Sequence, residues 1–239
     1  MGKNYCKFMN LFLNKEFKYE FKDHRYYMVV NNKKFYFLRS RVDLYHLGFD
    51  ARIKGLSNSY NCDFVELSED ELIVDVGANA GEFQFCFPKN NYIGFEPSPL
   101  DYEILELNRL TSSSIYNTCI SDFDGVVKFY ISTESSDSSI YQPLKVEQVI
   151  DVQVSRIDTL VKQKIGLIKI DAEGAEFEVL KGCDKLFEKI HYITVDLGFE
   201  KGITEDSTFP EVLNLLYGVG FTVIKNSPGN RFLFVNNNF

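Results

Sequence analysis

From residue 72 onward the chain repeats one phrase: a short apolar, β-branched run that ends on a carboxylate, then a turn, then a helical stretch. LIVDV (72–76), YIGFE (92–96), IGLIKI (165–170) followed by Asp171, and HYITVDL (191–197) are the clearest instances. Apolar runs without polar alternation describe strands covered on both faces, and strands separated by helices run parallel. Helical patterns fall near 80–88, over 100–110, through GAEFEVLKG up to Gly182, and across 209–217. Between them lie IYNTCI (115–120), the polar turn SDFDG, the hairpin-like VVKFYI (126–131) and a serine-rich loop over 132–139. The last two runs, FTVI (221–224) and FLFV (232–235), are joined by too few residues for a crossover, so they must pair antiparallel. The expected fold is α/β and Rossmann-like: a seven-stranded, mostly parallel sheet with one antiparallel strand.

The N-terminal part reads differently. Residues 17–38 alternate and are rich in β-formers, with Asn31-Asn32 as the turn of a hairpin or small meander. Residues 42–60 read as one or two helices broken near Gly48, with Phe49, Ile53, Leu56 and Tyr60 at helical spacing. The chain therefore divides into an N-terminal hairpin and helical cap (1–70) and a main domain (71–239).

Charge and cysteine content narrow the classes of function. The formal net charge is -8, which disfavours nucleic acid as a partner. Basic residues concentrate only near the start (Lys15, Lys18, Lys22, Arg25, Lys33, Lys34, Arg39, Arg41), interleaved with Phe and Tyr. They read as a solvated face, with a homo-oligomer contact or a carrier-lipid contact as the functional alternatives. The 5 cysteines are scattered and the 3 histidines isolated, so zinc-ligand spacing is absent and a reducing, cytoplasmic setting is expected. No apolar run reaches the length of a membrane-spanning helix, about 18 residues or more, and the first residues lack a secretory h-region.

The chemistry-bearing residues cluster at the strand ends. In LIVDVGANAGEF a strand delivers Asp75, and Gly77 and Gly81 let the backbone turn tightly beneath a ligand. The spacing D-x-G-x-N-x-G lacks the third glycine of the dinucleotide fingerprint, so a ligand without a pyrophosphate suits it better, with Asp75 and Asn79 toward an ammonium group. Glu96 ends the next strand, where a carboxylate faces a nucleoside ribose, and Pro97 and Pro99 fix the chain after it. Ser121 and Asp122 follow the third strand, where Asp122 can accept from an adenine amino group. Asp171 and Glu173 end the fourth strand, with Lys169 on the same face as Asp171. Glu176 opens the next helix and reads as a capping group. Asp196 ends the fifth strand, and Glu200 follows it toward the same mouth. Asp171 is the first candidate for a base or hydroxyl-orienting group and Asp196 the second. His191 is rejected because it begins its strand at the opposite sheet edge. A divalent cation bridging Asp171 and Asp196 would explain the paired acids, but acids satisfied by backbone N–H groups and lysine are favoured.

VDVGANAGEF, GFEPSP, ISDFDG and above all IKIDAEGAEFEVLKG resemble the FkbM family of S-adenosylmethionine-dependent methyltransferases over roughly residues 40–239. LGFDARIKGLSNSY and VDLGFEKG look like a bacterial branch associated with sugar acceptors. The resemblance implies a class I methyltransferase fold and O-methylation of a sugar, surface-glycan precursor or other small acceptor. It also implies that Asp75, Gly77, Asn79, Gly81, Glu96, Ser121 and Asp122 line the cofactor site, while Asp171 and Glu173 face the acceptor. Asp196 stands where the pattern would carry Glu. Two other readings compete: an NAD-dependent sugar-modifying enzyme, disfavoured by the missing glycine, and a non-catalytic nucleoside-binding protein.

Overall fold

The computed structural model describes residues 2–11, 17–132 and 138–239, so Lys15 and most of the serine-rich loop (133–137) lie outside the described residues. Helix α1 (Gly2–Met9) precedes an antiparallel meander of β1 (Tyr19–Lys22), β2 (Arg25–Val30) and β3 (Lys33–Phe37). Both connections are two-residue turns at positive φ, Asp23-His24 (51° and 63°) and Asn31-Asn32 (50° and 63°), a conformation whose twist suits tight hairpins. A 3-10 segment (Arg39–Tyr45) and α2 (Phe49–Ser59) follow, parted at Gly48, where φ is 94°.

The main body continues with β4 (Leu72–Val76), β5 (Asn91–Phe95), α3 (Pro99–Asn108), β6 (Ser113–Tyr116), β7 (Cys119–Ile120), β8 (Gly125–Ser132) and β9 (Val146–Ser155). Then come α4 (Ile157–Leu160), β10 (Ile165–Ile170), α5 (Glu176–Lys181), β11 (Ile190–Asp196), the short pair β12 (Phe199–Lys201) and β13 (Asp206–Ser207), α6 (Phe209–Gly218), β14 (Phe221–Ser227) and β15 (Arg231–Asn236). Seven strands form one sheet in the order β14-β15-β11-β10-β4-β5-β6. All pair in parallel except β15, which runs antiparallel between β11 and β14. β4 and β10 are buried along their whole length, as their unbroken apolar sequences require. Among the described residues, no helix is long and apolar enough to cross a membrane.

Three local expectations need correction. The helix expected near 80–88 is a single 3-10 turn, Phe83–Phe85. Gln84 explains it: its amide nitrogen donates to Gly81 O (2.8 Å) and Asn108 O (3.3 Å), while its oxygen accepts from Leu110 N (2.9 Å) and Ser113 Oγ (3.0 Å). Those bonds anchor the turn to its neighbours instead of to a following helical turn, and Pro88 offers no N–H. The stretch IYNTCI divides, with Ser113–Tyr116 in the main sheet and Cys119–Ile120 in a small sheet ordered β7-β9-β8. Strand β9 has no counterpart in the sequence reading: polar residues are interspersed along it, and only Ile150, Val152 and Val154 near its end turn inward, onto Phe129 and Cys119. Finally, Arg41 does not belong to a solvated basic face, because it is buried.

The cap shares its core with the main body. Phe35, Phe49 and Phe85 pack with ring centroids 4.7–5.7 Å apart, in a cluster that also holds Ala80 and Ile104. Asn108, at the end of α3, binds β3 on both backbone sides, accepting from Tyr36 N (2.7 Å) and donating to Tyr36 O (2.8 Å), and it also donates to Ala80 O (2.8 Å). Replacing it with alanine strands three backbone groups, each costing roughly 1 kcal/mol or more when left unpaired. Asn108→Ala is therefore expected to lower the unfolding free energy by about 3 kcal/mol in a urea titration.

Candidate active site

The C-terminal ends of β4, β5, β10 and β11 open into a cavity of about 380 Å³. Its floor comes from Asp75, Gly77, Ala78 and Asn79, its sides from Glu96, Lys169, Asp171 and Asp196, and its roof from Arg41, Arg52, Leu56 and Tyr60 of the cap. The turn after β4 brings the ligand-facing backbone close to β10. Gly77 has φ of 76°, and a Cβ there would stand 2.0 Å from the Asp171 carbonyl oxygen, so only glycine fits. Gly81 (φ 82°) closes the turn.

Lys169 organises the floor. Its ammonium lies 3.0 Å from Asp75 Oδ1 and 3.5 Å from Asp171 Oδ2, and donates to Gly77 O at 2.8 Å. Asp75 is completely buried and also accepts from the Tyr92 hydroxyl at 2.6 Å. Burial raises the Asp75 carboxyl despite these partners. Asp171 accepts from the Tyr60 hydroxyl at 2.6 Å. Burial opposes its charge, but Lys169 and the Tyr60 hydroxyl hold its carboxyl below the ordinary value.

Glu96 accepts from two backbone N–H groups, Asn79 N and Ser98 N, both at 2.8 Å, and burial with the neighbouring Asp101 pushes it up to about 8. Asn79 Oδ1 is buried without a partner and lines the same wall. The walls beyond Glu96 are largely apolar: Phe95, Cys119, Ile120, Phe129 and Ile140. Ser121 and Asp122, expected beside them, are not among the lining residues. The Asp122 carboxylate pairs outward with Lys181 at 2.9 Å.

On the opposite side, Asp196 Oδ2 pairs with Arg231 Nη2 at 2.6 Å, while Asp196 Oδ1 and Glu200 Oε2 are buried without partners. Burial and the charge of Asp171 push Asp196 up to about 6, and burial with Asp196 pushes Glu200 up to about 8. Glu173 has φ of 50° and lines the cavity edge. Gly174 beside it lets the next segment approach, since a Cβ there would meet Lys201 Cα at 2.5 Å. Glu176 does not line the cavity. It accepts from Ala172 N, Gly174 N and Thr208 Oγ1, so it fixes the loop before α5 and ties it to α6 instead of capping the helix it opens. His191 lies at the far edge, stacked on Phe239. Among the described residues no group of acidic, histidine or cysteine side chains is arranged to hold a metal ion.

Comparison with known proteins fits this geometry. The model of the methyltransferase FkbM domain matches residues 75–223. The chain belongs to the FkbM methyltransferase family. Hexuronic acid methyltransferase AglP of Haloferax volcanii is 28% identical over 55% of this chain and 58% of its own length. The 31-O-demethyl-FK506 methyltransferase FkbM of Streptomyces tacrolimicus is 26% identical over 67% of this chain and 76% of its own. The crystal structure of a methyltransferase FkbM from Methylobacillus flagellatus KT superposes with a TM-score of 0.51 at 15% identity, over 72% of this chain and 45% of that one. The family's matched segment begins at Asp75, so it leaves out the cap that roofs the cavity.

Sequence reasoning anticipated a helical cap but missed the charge cluster within it. Arg41, Arg52 and Tyr45 all converge on the buried Glu82, whose charge lies directly after the Gly81 turn. Burial would raise Glu82, but Arg41 and Arg52 hold it down to about 2, against an ordinary value of 4.5. Because the folded value is depressed, this carboxylate stabilises the fold fully above about pH 4.5 and progressively less as the pH falls toward 2. Glu82→Gln is expected to cost about 3 kcal/mol at neutral pH. Its deficit against the wild type should shrink in urea titrations carried from pH 4.5 down to 2.

Proposed function

We propose that this chain is an S-adenosylmethionine-dependent O-methyltransferase acting on a hydroxyl of a sugar or glycan precursor, with residues 1–70 as the cap and 71–239 as the catalytic domain. The observation that carries the reading is the buried Glu96, held by two backbone N–H groups at a strand end and facing a cavity with one apolar wall. The residues suit an adenosyl ligand. Glu96 retains lone pairs for the ribose hydroxyls, the Phe95, Ile120 and Phe129 side chains suit the base, and the orphaned Asn79 Oδ1 can accept from the ammonium end. Asp75 supports the turn through Lys169 and Tyr92, while Ser121 and Asp122 shape the outside of the adenine wall through Lys181. The segment after Gly81 is a single 3-10 turn, which offers no helix N-terminus for a pyrophosphate and so disfavours the nicotinamide reading. The relatives AglP and FkbM are named for methylating a hexuronic acid and 31-O-demethyl-FK506, which supports an oxygen acceptor.

When bound, S-adenosylmethionine supplies a sulfonium methyl group whose departure needs no acid. The chain's own work is to align the acceptor hydroxyl, exclude water and take its proton. Alignment alone is worth about 7–11 kcal/mol in favourable cases. Asp171 is a poor proton acceptor, since Tyr60 and Lys169 hold it in its ionised form. That role passes to Asp196 and Glu200, each with a buried oxygen free of protein partners, and Asp171 with Glu173 orients the acceptor.

Two outcomes test the reading. S-adenosylhomocysteine should raise the melting temperature of the wild type and lose at least tenfold in calorimetric affinity for Glu96→Ala; unchanged affinity would place the pocket elsewhere. Methyl transfer to uronic acids or other sugars, followed by mass spectrometry, should rise as the pH climbs from about 6 to about 8, because raised carboxyl groups must first lose their protons. Glu200→Gln should remove the upper part of that rise and slow transfer by roughly 10²–10⁴-fold.

A further inference from the structure

The roof of the cavity carries a concentration of guanidinium donors that its one carboxylate cannot satisfy. Arg41 is buried and Arg52 is 21% exposed at its side chain. Glu82 Oε1 takes four donors: Arg41 Nη2, Arg52 Nε and Arg52 Nη2, each at 3.2 Å, and the Tyr45 hydroxyl at 2.8 Å. One carboxylate oxygen offers about two lone-pair sites, so these bonds are long and shared. Arg41 Nε is buried with no partner, and among the described residues no hydrogen bond reaches Arg52 Nη1. Asp101, the other carboxylate near Arg41, is engaged by Ser98 Oγ at 2.7 Å. Two guanidinium groups thus crowd one oxygen of Glu82, with Asp101 as the next acid, in a site where buried donors are normally each given a partner. A planar fork with free N–H groups is the geometry that receives a second carboxylate in two parallel bonds.

We propose that Arg52, backed by Arg41, binds the carboxylate of a ligand held in this cavity, making the cap a part of the binding site itself. The inference rests on the adenosyl-binding reading above. The carboxylate can come from the amino-acid end of the cofactor or from an acidic sugar acceptor. The position of Glu82 immediately after Gly81 places the fork beside the glycine turn, which favours the cofactor's amino-acid end.

Calorimetric titration of the full chain with S-adenosylhomocysteine and with 5′-methylthioadenosine, which lacks the amino-acid end, separates the sources. Wild-type protein should prefer the former. Arg52→Gln should lose roughly tenfold to a hundredfold of that preference, with 5′-methylthioadenosine affinity unchanged and Arg52→Lys intermediate. In a second arm, glucuronate and glucose are titrated into the protein with and without S-adenosylhomocysteine. A selective loss of glucuronate binding in Arg52→Gln, with the adenosyl preference intact, assigns the carboxylate to the acceptor and supports the same fork. Unchanged ratios in both arms overturn the proposal, as does an equal loss for both adenosyl ligands, which would give Arg52 a purely structural role. If wild-type protein binds neither adenosyl ligand, the methyltransferase reading fails, and the glucuronate arm alone decides the role of Arg52.

Discussion

A buried ammonium group, that of Lys169, is the constraint on which the cavity is built. It sits in β10 but bonds to the end of β4, through Asp75 and Gly77 O, and reaches Asp171 just past the end of β10. Taking such a charge out of water is unfavourable unless its partners are close and complete. Here they are supplied by adjacent parallel strands, so the ion pair fixes the register of the two strand ends that shape the floor. The Tyr60 ring, 5.4 Å from the ammonium, and its hydroxyl on Asp171 carry the constraint up into the cap. Strand ends, turn and roof are therefore one electrostatic unit.

The cavity is polarised around that unit. One side gathers Asp196, Glu200 and Arg231, with carboxyl oxygens left without protein partners, and the other gathers Arg41 and Arg52 over a single ionised Glu82. Between them the wall formed by Phe95, Ile120 and Phe129 is apolar. The cap contributes to both poles, through Arg52 on one and Tyr60 on the other. The roof is thus set by a segment that precedes the matched family domain.

The sheet was readable because its strands are buried on both faces, which writes them as unbroken apolar runs; LIVDV and IGLIKI match β4 and β10 in full. The strand-end carboxylates Asp75, Glu96, Asp171 and Asp196 do meet in one cavity, for the same topological reason. What could not be read was set by contacts between distant residues. Gln84 replaces a helix by a turn through partners at the end of α3 and the start of β6, and β9 mixes polar residues with the few that pack on Phe129. Asp122 faces Lys181, a choice fixed by where α5 packs. The Arg41–Glu82–Arg52 cluster joins segments whose proximity no local periodicity records, and its only signal was basic residues placed among aromatic ones.

The missing side chain of Gly174 has a wider bearing. Backbone atoms of residues 200 and 201 lie within 3 Å of where its Cβ would be, so the segment bearing Glu200 rests directly on the loop that follows β10. The depth to which that carboxyl reaches is consequently governed by a spacer of zero thickness. Relatives that differ by one methyl group at this point would hold the same acid farther from the strand ends, and could shift the reach of the site toward bulkier acceptors without altering any residue that meets them.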